Sequence, residues 1–524
     1  MAAVLPRFEV GRQKEVPGVL NVAQILSGAT TADPERIALR SGDLVMTVEV
    51  LNNLAKQCAR LFSGEGVGPG HRVAFVMPNV PHFPAVYYGA LRTGATAVPL
   101  SPLMSAVEFE YIFRDCTPTV VVAWSGFHEA AAKAAEACGV RLVYTAGPSG
   151  GPSTGLPDLL ASASAVAGDD EIACTDASDM AVIIYTSGTT GAPKGAALTH
   201  DNLVWNARIF SDTADLAHGD VALAALPFFH SFGQSCVLNA SLHSGVELVL
   251  QPRFDASETL DLIERHRITL LMGVPSMHAA LLAEQQTRRR DLSSLRWLAS
   301  GGSGLAAGLH EELERELKVP VFEGYGLSET SPITHMCGPG LAKKGSVGPP
   351  LWGIEQRVVD EEGARLPVGI VGELHVRGHG VMLGYFGRPD ATEAVIDSDG
   401  WFATGDLASI DEDGFVKIVD RKKDLIIRNG HNIYPSDIET VLSEHPAVQL
   451  SAVIGVPDDK VGEEIAAIVM LKPGAGATDD EITEFVKARV GRQNYPRIVR
   501  IVDDLPLGPT GKVLKRAIDL SFVG

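Results

Sequence analysis

One stretch of the chain, residues 185–195, combines residue types that bind anions. In one-letter code it reads YTSGTTGAPKG. Its glycines let backbone N–H groups approach an anion closely, its hydroxyls supply further donors, and Lys194 supplies a compact positive charge. The apolar, β-branched residues 180–184 come directly before it and are typical of a buried strand. We therefore predict an anion-binding loop at the end of a buried strand.

This loop is not a Walker A motif, because that motif has glycine before its lysine and Ser or Thr after it. Here Lys194 lies between Pro193 and Gly195. In residue order the stretch resembles the phosphate loop of the adenylate-forming superfamily, which includes acyl-CoA synthetases, aryl-CoA ligases, luciferases and peptide-synthetase adenylation domains. The resemblance implies that the loop binds the phosphates of ATP through Thr186, Ser187, Gly188, Thr189, Thr190, Gly191 and Lys194.

A histidine follows a predicted strand in residues 227–230, which read PFFH. A lone histidine is more often structural than functional. In the superfamily, however, the histidine of a Pro-x-x-His motif lies beside the carboxylate of the acyl substrate. The resemblance therefore favours a substrate-binding and catalytic role for His230.

A glycine-rich segment, residues 300–304, also follows a predicted strand. It cannot form the nucleophile elbow Gly-x-Ser-x-Gly, because Leu305 stands where the last glycine is needed. It resembles the adenine-side loop of the superfamily. The resemblance implies that Gly301, Gly302 and Ser303 lie beside the nucleotide.

Residues 324–330, which read GYGLSET, resemble the second nucleotide motif of the superfamily. The resemblance implies that Tyr325 stacks on adenine, with Gly324 and Gly326 beside it. It also implies that Ser328 contacts the α-phosphate and that Glu329 holds Mg2+. One glutamate is sufficient, because Mg2+ in such sites takes one or two carboxylates together with phosphate oxygens.

Several charged motifs near the C-terminus complete the resemblance. Asp406, in a Thr-Gly-Asp turn, would accept hydrogen bonds from the ribose, and Arg421 would meet the ribose or a phosphate. Lys423 would be the hinge of a mobile domain, and the loop containing Gly430 and His431 would line the tunnel in which the thioester forms. In the motif LPLGPTGK at 505–512, Lys512 would bind both the carboxylate and the α-phosphate during the first step.

The periodicity of the chain predicts elements that would position these residues. A helical stripe over 48–62, strands over 72–76 and 95–100, and four further strands before 300 indicate alternating strands and helices. Ligands in such folds bind outside the carboxyl ends of the parallel strands. Residues 145–178, rich in Gly, Ser and Ala, are predicted to form surface loops.

The predicted fold is α/β, with a large N-terminal domain at 1–422 and a small mobile α+β domain at 423–524. The large domain would hold two βα-type parallel-sheet subdomains and a small β-barrel-like subdomain at about 345–420, where Gly and Pro punctuate short strands. In the small domain, Thr478 and Glu481 predict a capping box at the start of a helix that reaches Val490.

Composition restricts the classes of function. A net charge of −20 over 524 residues argues against non-specific binding to nucleic acid and against strong attraction to anionic membranes. Weak peripheral contact with a membrane is left open. No apolar run reaches the about 18 residues that span a bilayer, and the charged N-terminus has no signal-peptide core. Six scattered cysteines suit reduced thiols in a cytoplasm.

The predicted function is ATP-dependent activation of a carboxylic acid to acyl-AMP, followed by transfer to coenzyme A. The overall arrangement most resembles bacterial medium- and long-chain fatty acyl-CoA synthetases. Apolar stretches at 232–238 and 272–277 suit an alkyl or aryl tail. An aryl-CoA ligase of the coumarate or benzoate type, an acyl-AMP ligase serving a carrier protein, a luciferase-like oxygenase and an inactive nucleotide-binding module remain alternatives. The oligomeric state, monomer or homodimer, stays open.

Overall fold

The computed structural model describes residues 21–148, 154–168, 171–186, 192–458, 460–472, 474–491, 493–506, 508 and 513–519. It is an α/β protein with two large, mainly parallel sheets, a smaller antiparallel sheet and a C-terminal α+β unit. Its helices are α1 Gln24–Ala32, α2 Val48–Gly64, α3 His82–Arg92, α4 Ala106–Cys116, α5 His128–Ala137, α6 Leu159–Ser164, α7 His200–Thr213, α8 Ala240–Ser244, α9 Ala256–His266, α10 Pro275–Thr287, α11 Ala307–Leu317, α12 Pro389–Glu393, α13 Pro435–Ser443 and α14 Asp479–Lys487.

The strands alternate with these helices along the first two-thirds of the chain. They are β1 Ile37–Ser41, β2 Leu44–Thr47, β3 Arg72–Val76, β4 Thr96–Leu100, β5 Val120–Trp124, β6 Leu142–Ala146, β7 Met180–Thr186, β8 Lys194–Thr199, β9 Val221–Ala224, β10 Glu247–Leu250, β11 Leu270–Gly273, β12 Trp297–Ser300, β13 Val321–Gly326, β14 Ile333–Met336, β15 Ile354–Val359, β16 Gly372–Gly378, β17 Gly384–Tyr385, β18 Phe402–Ile410, β19 Val416–Arg421, β20 Ile426–Arg428, β21 His431–Ile433, β22 Val448–Asp458, β23 Gly462–Leu471 and β24 Ile498–Val502.

The seven-stranded sheet has the order β17-β8-β7-β4-β3-β5-β6. Its strands from β7 to β6 run parallel, whereas β8 and β17 are antiparallel additions at one edge. Strand β4 is buried at every position, as expected for a parallel strand with both faces covered. The predicted strand before the anion-binding loop is confirmed as β7.

The eight-stranded sheet has the order β14-β13-β12-β11-β9-β10-β1-β2. Strands β9 to β13 and β1 are parallel, so the segments that follow β9, β11, β12 and β13 leave the sheet on the same edge. The four strands predicted in this region are confirmed. Strands β1 and β2 were not predicted; β1 crosses from the N-terminal segment to pair with β10.

The antiparallel sheet, with order β15-β16-β18-β19, confirms the predicted short strands between 345 and 420. The C-terminal unit packs α13 and α14 against β22, β23 and β24 around its own apolar core. The predicted capping box is present, since Thr478 accepts from the Glu481 N–H and Glu481 accepts from the Thr478 N–H. Among the described residues, no helix has both the length and the hydropathy that crossing a bilayer requires.

Two local predictions need correction. The segment predicted as surface loops contains α6, because Asp158 caps its first turn and Leu159 and Ala163 are buried. The helix predicted to reach residue 490 ends at Lys487.

Candidate active site

The described ends of the anion-binding stretch belong to the antiparallel strands β7 and β8. Tyr185 pairs with Gly195 and Thr186 with Lys194, so the two ends of the predicted loop are held side by side. Strand β8 was not predicted, since only a short apolar run follows Lys194. The intervening predicted residues lie outside the described part of the chain: Ser187, Gly188, Thr189, Thr190 and Gly191.

A polar network beside the loop end of this hairpin was not predicted. The Tyr185 hydroxyl donates to Asp115 at 2.6 Å, and Arg388 donates to the other oxygen of Asp115 at 2.9 Å. The Tyr111 hydroxyl donates to the Pro193 carbonyl at 3.2 Å. Burial, with negative neighbours, raises the pKa of Tyr185, so its hydroxyl remains a donor. These contacts hold both arms of the hairpin against α4.

A third residue, Tyr385, connects Lys194 to Glu329. The Lys194 Nζ lies 5.0 Å from the centroid of the Tyr385 ring, and the Tyr385 hydroxyl donates to Glu329 Oε1 at 3.0 Å. Glu329 is only 9% exposed. Sequence reasoning missed Tyr385, because a Gly-Tyr pair outside any glycine-rich motif carries no chemical signal of its own.

Three predicted nucleotide-binding residues meet between two sheets. The Tyr325 hydroxyl donates to Asp406 Oδ2 at 2.6 Å, and Arg421 Nε lies 3.5 Å from Asp406 Oδ1. Asp406 and Arg421 are directly opposite in the β18–β19 pair. Burial raises the pKa of Tyr325 well above its usual value, so it stays protonated and orients the carboxylate.

The segment around His230 packs against the glycine-rich loop after β12. A Cβ on Gly301 would lie 3.0 Å from a ring carbon of Phe232, so glycine permits this contact. The Ser231 hydroxyl lies 3.2 Å from that of Ser328. His230 keeps some exposed surface, but the surrounding protein lowers its pKa to about 4 and it is neutral at pH 7.

A π-helix, Phe232–Asn239, follows this segment and continues into α8. Such helices are rare and often lie at functional sites. Apart from half-buried Phe232, its residues are buried, which places the predicted apolar stretch inside the protein. The second predicted stretch, 272–277, spans the end of β11 and the first turn of α10.

A buried carboxyl group, Glu323, supports the glycine-rich loop and was also missed. One of its oxygens accepts from the Leu305 N–H at 3.1 Å, and its other oxygen has no partner among the described residues. Burial raises the pKa of Glu323 to about 7. Of the predicted residues nearby, Gly301 is buried and Gly302 and Ser303 are exposed, whereas Gly324, Gly326 and Ser328 are half-buried.

The predicted hinge lies in a short 3₁₀ turn, Lys422–Asp424, between the antiparallel sheet and the C-terminal unit. Lys422 donates to Glu373 at 2.8 Å, and the Ser436 N–H donates to Asp420 at 2.9 Å. The side chain of Lys423 is exposed. These contacts attach both sides of the turn to neighbouring elements.

The remaining predicted residues belong to the C-terminal unit. Gly430 and His431 are exposed on the turn between β20 and β21, where Asn429 and Gly430 have φ of +51° and +74°. Two positive φ values in succession are typical of a type I′ turn. Lys512 lies outside the described residues. Three positions later, Lys515 pairs with Glu439 of α13 at 2.8 Å.

Comparisons with known proteins confirm the resemblance to the adenylate-forming superfamily. The profile of the family described as AMP-binding enzyme matches residues 27–386, and that of the AMP-binding enzyme C-terminal domain matches 437–512. A feruloyl-CoA synthase from Amycolatopsis sp is 36% identical over 93% of this chain and 96% of its own length. A long-chain-fatty-acid–CoA ligase from Bacillus subtilis is 34% identical over 94% and 93%.

The fold has also been seen in solved structures. The crystal structure of ATP-bound MatB from Rhodopseudomonas palustris superimposes with a TM-score of 0.88, at 33% identity, over 95% of this chain and 98% of that one. The fold and the family matches together define an adenylate-forming enzyme. The chain belongs to the AMP-binding enzyme family and is an AMP-forming acid–thiol ligase.

Proposed function

We propose that this enzyme joins a monocarboxylic acid to the α-phosphate of ATP and then transfers the acyl group to coenzyme A. The observation that supports the assignment of residues is the Lys194–Tyr385–Glu329 contact. It brings the lysine that begins β8 near a largely buried carboxylate from a different sheet. Tyr325, Asp406 and Arg421 would hold the nucleoside.

In the first step, a carboxylate oxygen of the acid attacks the α-phosphorus, and the bond to the bridging oxygen of pyrophosphate breaks. Because both reactants are anions, the site must supply positive charge where the negative charge accumulates. Lys194 and the N–H groups of its loop would bind the β- and γ-phosphates, and Lys512 would bind the carboxylate and the α-phosphate. His230, neutral at pH 7, would lie beside the acid.

Glu329 fits a role in holding Mg2+. Of the part of the chain that the structure describes, only Tyr385 hydrogen-bonds its side chain, through Oε1, so Oε2 receives no hydrogen bond there. The described residues contain no group of three or more potential ligands, which suits an ion held mainly by phosphate oxygens. When bound, Mg2+ would neutralise phosphate charge.

In the second step, the thiol of coenzyme A attacks the acyl carbon, its proton leaves, and the bond to the AMP oxygen breaks. Gly430 and His431 would line the path of the thiol, while Lys512 serves the first step from the same small domain. We therefore propose domains at 1–422 and 423–524, with rotation at Lys423 presenting one face after the other.

A medium- or long-chain fatty acid is the first candidate substrate, supported by the buried, mostly apolar stretches around the π-helix and β11. Neither stretch contains an arginine that could pair with a second carboxylate. An aryl acid of the hydroxycinnamate type is the second candidate, favoured by the similarity to feruloyl-CoA synthase. We also propose a cytoplasmic location, on the ground of six free cysteines, and leave monomer or homodimer open.

The test is exchange of labelled pyrophosphate into ATP with a panel of acids: octanoate, palmitate, ferulate, 4-coumarate, benzoate and succinate. Exchange with one group of monocarboxylates would support the proposal and identify the acid class. Release of AMP that requires coenzyme A would separate this enzyme from an acyl-AMP ligase serving a carrier protein. No exchange with any acid in a broader panel would contradict the proposal.

A further inference from the structure

Tyr385 contacts two predicted functional residues through two different parts of its side chain. Its hydroxyl donates to Glu329 Oε1 at 3.0 Å, and its ring lies 5.0 Å, centroid to Nζ, from Lys194. A hydroxyl donor fixes the orientation of a carboxylate, whereas a ring face attracts a cation. One side chain can therefore set the relative position of a cationic and an anionic group.

The main chain fixes Tyr385 independently of these contacts. Tyr385 pairs with Ala196 in the antiparallel β17–β8 ladder, only two residues beyond Lys194. On either side of it, the Leu383 N–H donates to Ala197 and the Phe386 N–H donates to Gly195. The tyrosine is thus attached to the strand that begins at the lysine.

The same segment is attached to Glu329. The Met382 N–H donates to the Glu329 carbonyl at 2.9 Å, and Tyr385 lies three residues further along the chain. A short strand therefore bridges the phosphate hairpin of the seven-stranded sheet and the turn after β13 of the eight-stranded sheet. Tyr385 is the side chain of this bridge that reaches both functional groups.

The Tyr385 hydroxyl can act as a donor to Glu329 at neutral pH, since an ordinary tyrosine has a pKa of about 10 and keeps its proton. The hydrogen bond uses one oxygen of Glu329 and directs the carboxylate plane. A partner of this kind, behind a metal-binding carboxylate, commonly tunes metal affinity.

We propose that Tyr385 is a positioning residue that aligns Glu329 for Mg2+ through its hydroxyl and aligns Lys194 for the ATP phosphates through its ring. This inference rests on the proposed function of the site. It differs from a role in filling space, because the hydroxyl and the ring serve different ligands and can be removed separately.

The experiment measures ATP binding by calorimetry, without acid and therefore without turnover, at a series of Mg2+ concentrations. Tyr385→Phe keeps the ring and should raise the Mg2+ concentration needed for half-maximal enhancement of ATP binding about tenfold. Binding of ATP in EDTA should be unchanged in this variant. Tyr385→Leu should weaken ATP binding in EDTA as well, because the ring over Lys194 is lost.

Tyr144→Phe is the matched control. The Tyr144 hydroxyl also donates to a glutamate, Glu65, at 3.0 Å, but it lies on β6 at the far edge of the seven-stranded sheet. Its removal should leave both measurements unchanged. If Tyr385→Leu does not fold, the Tyr385→Phe and Glu329→Gln double-mutant cycle tests the same link, with non-additive effects on Mg2+ dependence expected.

An unchanged Mg2+ dependence in Tyr385→Phe would overturn the inference, as would equal losses with and without Mg2+ or strictly additive effects in the cycle. Failure of the proposed function would give a different result, because the unmodified enzyme itself would then show no acid-dependent pyrophosphate exchange.

Discussion

The hydroxyl of Tyr325 donates a 2.6 Å hydrogen bond to Asp406, and this bond joins β13 of the eight-stranded sheet to β18 of the antiparallel sheet. The two residues are 81 positions apart in the chain. Arg421 approaches the other oxygen of the same carboxylate. The proposed nucleoside site is therefore built on two sheets at once, and its geometry depends on how they pack.

Tyr325→Phe should test this relationship. The variant keeps the aromatic ring for stacking but removes the hydrogen bond from the Tyr325 hydroxyl to Asp406. We expect a decrease of about 1–3 kcal/mol in the free energy of unfolding and a clear rise in the KM for ATP. Urea denaturation and steady-state kinetics measure the two effects. A loss of stability with an unchanged KM for ATP would mean that the bond is only structural.

Gly301→Ala should disturb the contact between the glycine-rich loop and Phe232, because the new Cβ would lie 3.0 Å from the ring. We expect a cost of about 1 kcal/mol in acid binding, which is about a fivefold rise in the KM for the acid. Gly304→Ala is the matched control, since nothing lies within 4 Å of its Cβ position. Equal kinetics for the two variants would contradict the prediction.

Glu323→Gln should change how stability depends on pH. The folded-state pKa of Glu323, about 7, lies above the unfolded value, so its contribution to stability is full below about pH 4.5 and is lost as pH rises through 7. Glutamine does not titrate. The unfolding free energy of the variant, minus that of the unmodified enzyme, should therefore grow by up to about 3 kcal/mol between pH 5 and 8. A difference that is independent of pH would refute the buried-carboxyl explanation.

Lowering the pH should destabilise the protein through buried neutral histidines. Burial lowers their pKa to about 4, below the unfolded value of about 6.5, so their contribution is full above pH 6.5 and is lost as pH falls toward 4. Urea denaturation at pH 7.5 and 5 should show lower stability at pH 5. A higher stability at pH 5 would mean that groups such as Glu323 dominate instead. The histidines concerned are His200, His278 and His335.

Lys512→Ala should abolish formation of acyl-AMP while leaving thioester formation from supplied acyl-AMP largely intact, because the proposed rotation withdraws this lysine from the second step. Single-turnover assays of the two half-reactions measure this difference. Lys515→Ala, which removes only the pair with Glu439, should leave both half-reactions within about twofold. Equal loss of both half-reactions in Lys512→Ala would argue against domain rotation.

The helices and strands that could be predicted were those marked by a local pattern of apolar residues in the sequence. Alternating apolar runs and helical stripes predicted the parallel strands and helices such as α2. Strands β1 and β17 were not predictable in this way. Each is short, and each forms because a partner strand distant in sequence offers free N–H and C=O groups.

The residues of the candidate site were likewise predictable only in part. Glycines and hydroxyls in a fixed order mark the proposed nucleotide-binding segments, and the structure brings Tyr325, Asp406 and Arg421 together. Tyr385 and Glu323, by contrast, look like ordinary strand residues in the sequence. Their contacts, Tyr385 with Glu329 and Glu323 with Leu305, join separate segments of the chain, which no local pattern records.

The late position of β17 in the chain also affects how the protein folds while it is being synthesised. Strand β8 is synthesised about 185 residues before the strand that covers its outer edge. At ordinary elongation rates, β8 therefore remains an unpaired edge strand of the nascent sheet for roughly 10–40 s. An exposed edge strand of this kind can pair with strands of other chains. Ribosome-bound fragments that end before residue 384 should therefore need chaperone protection that the released protein does not.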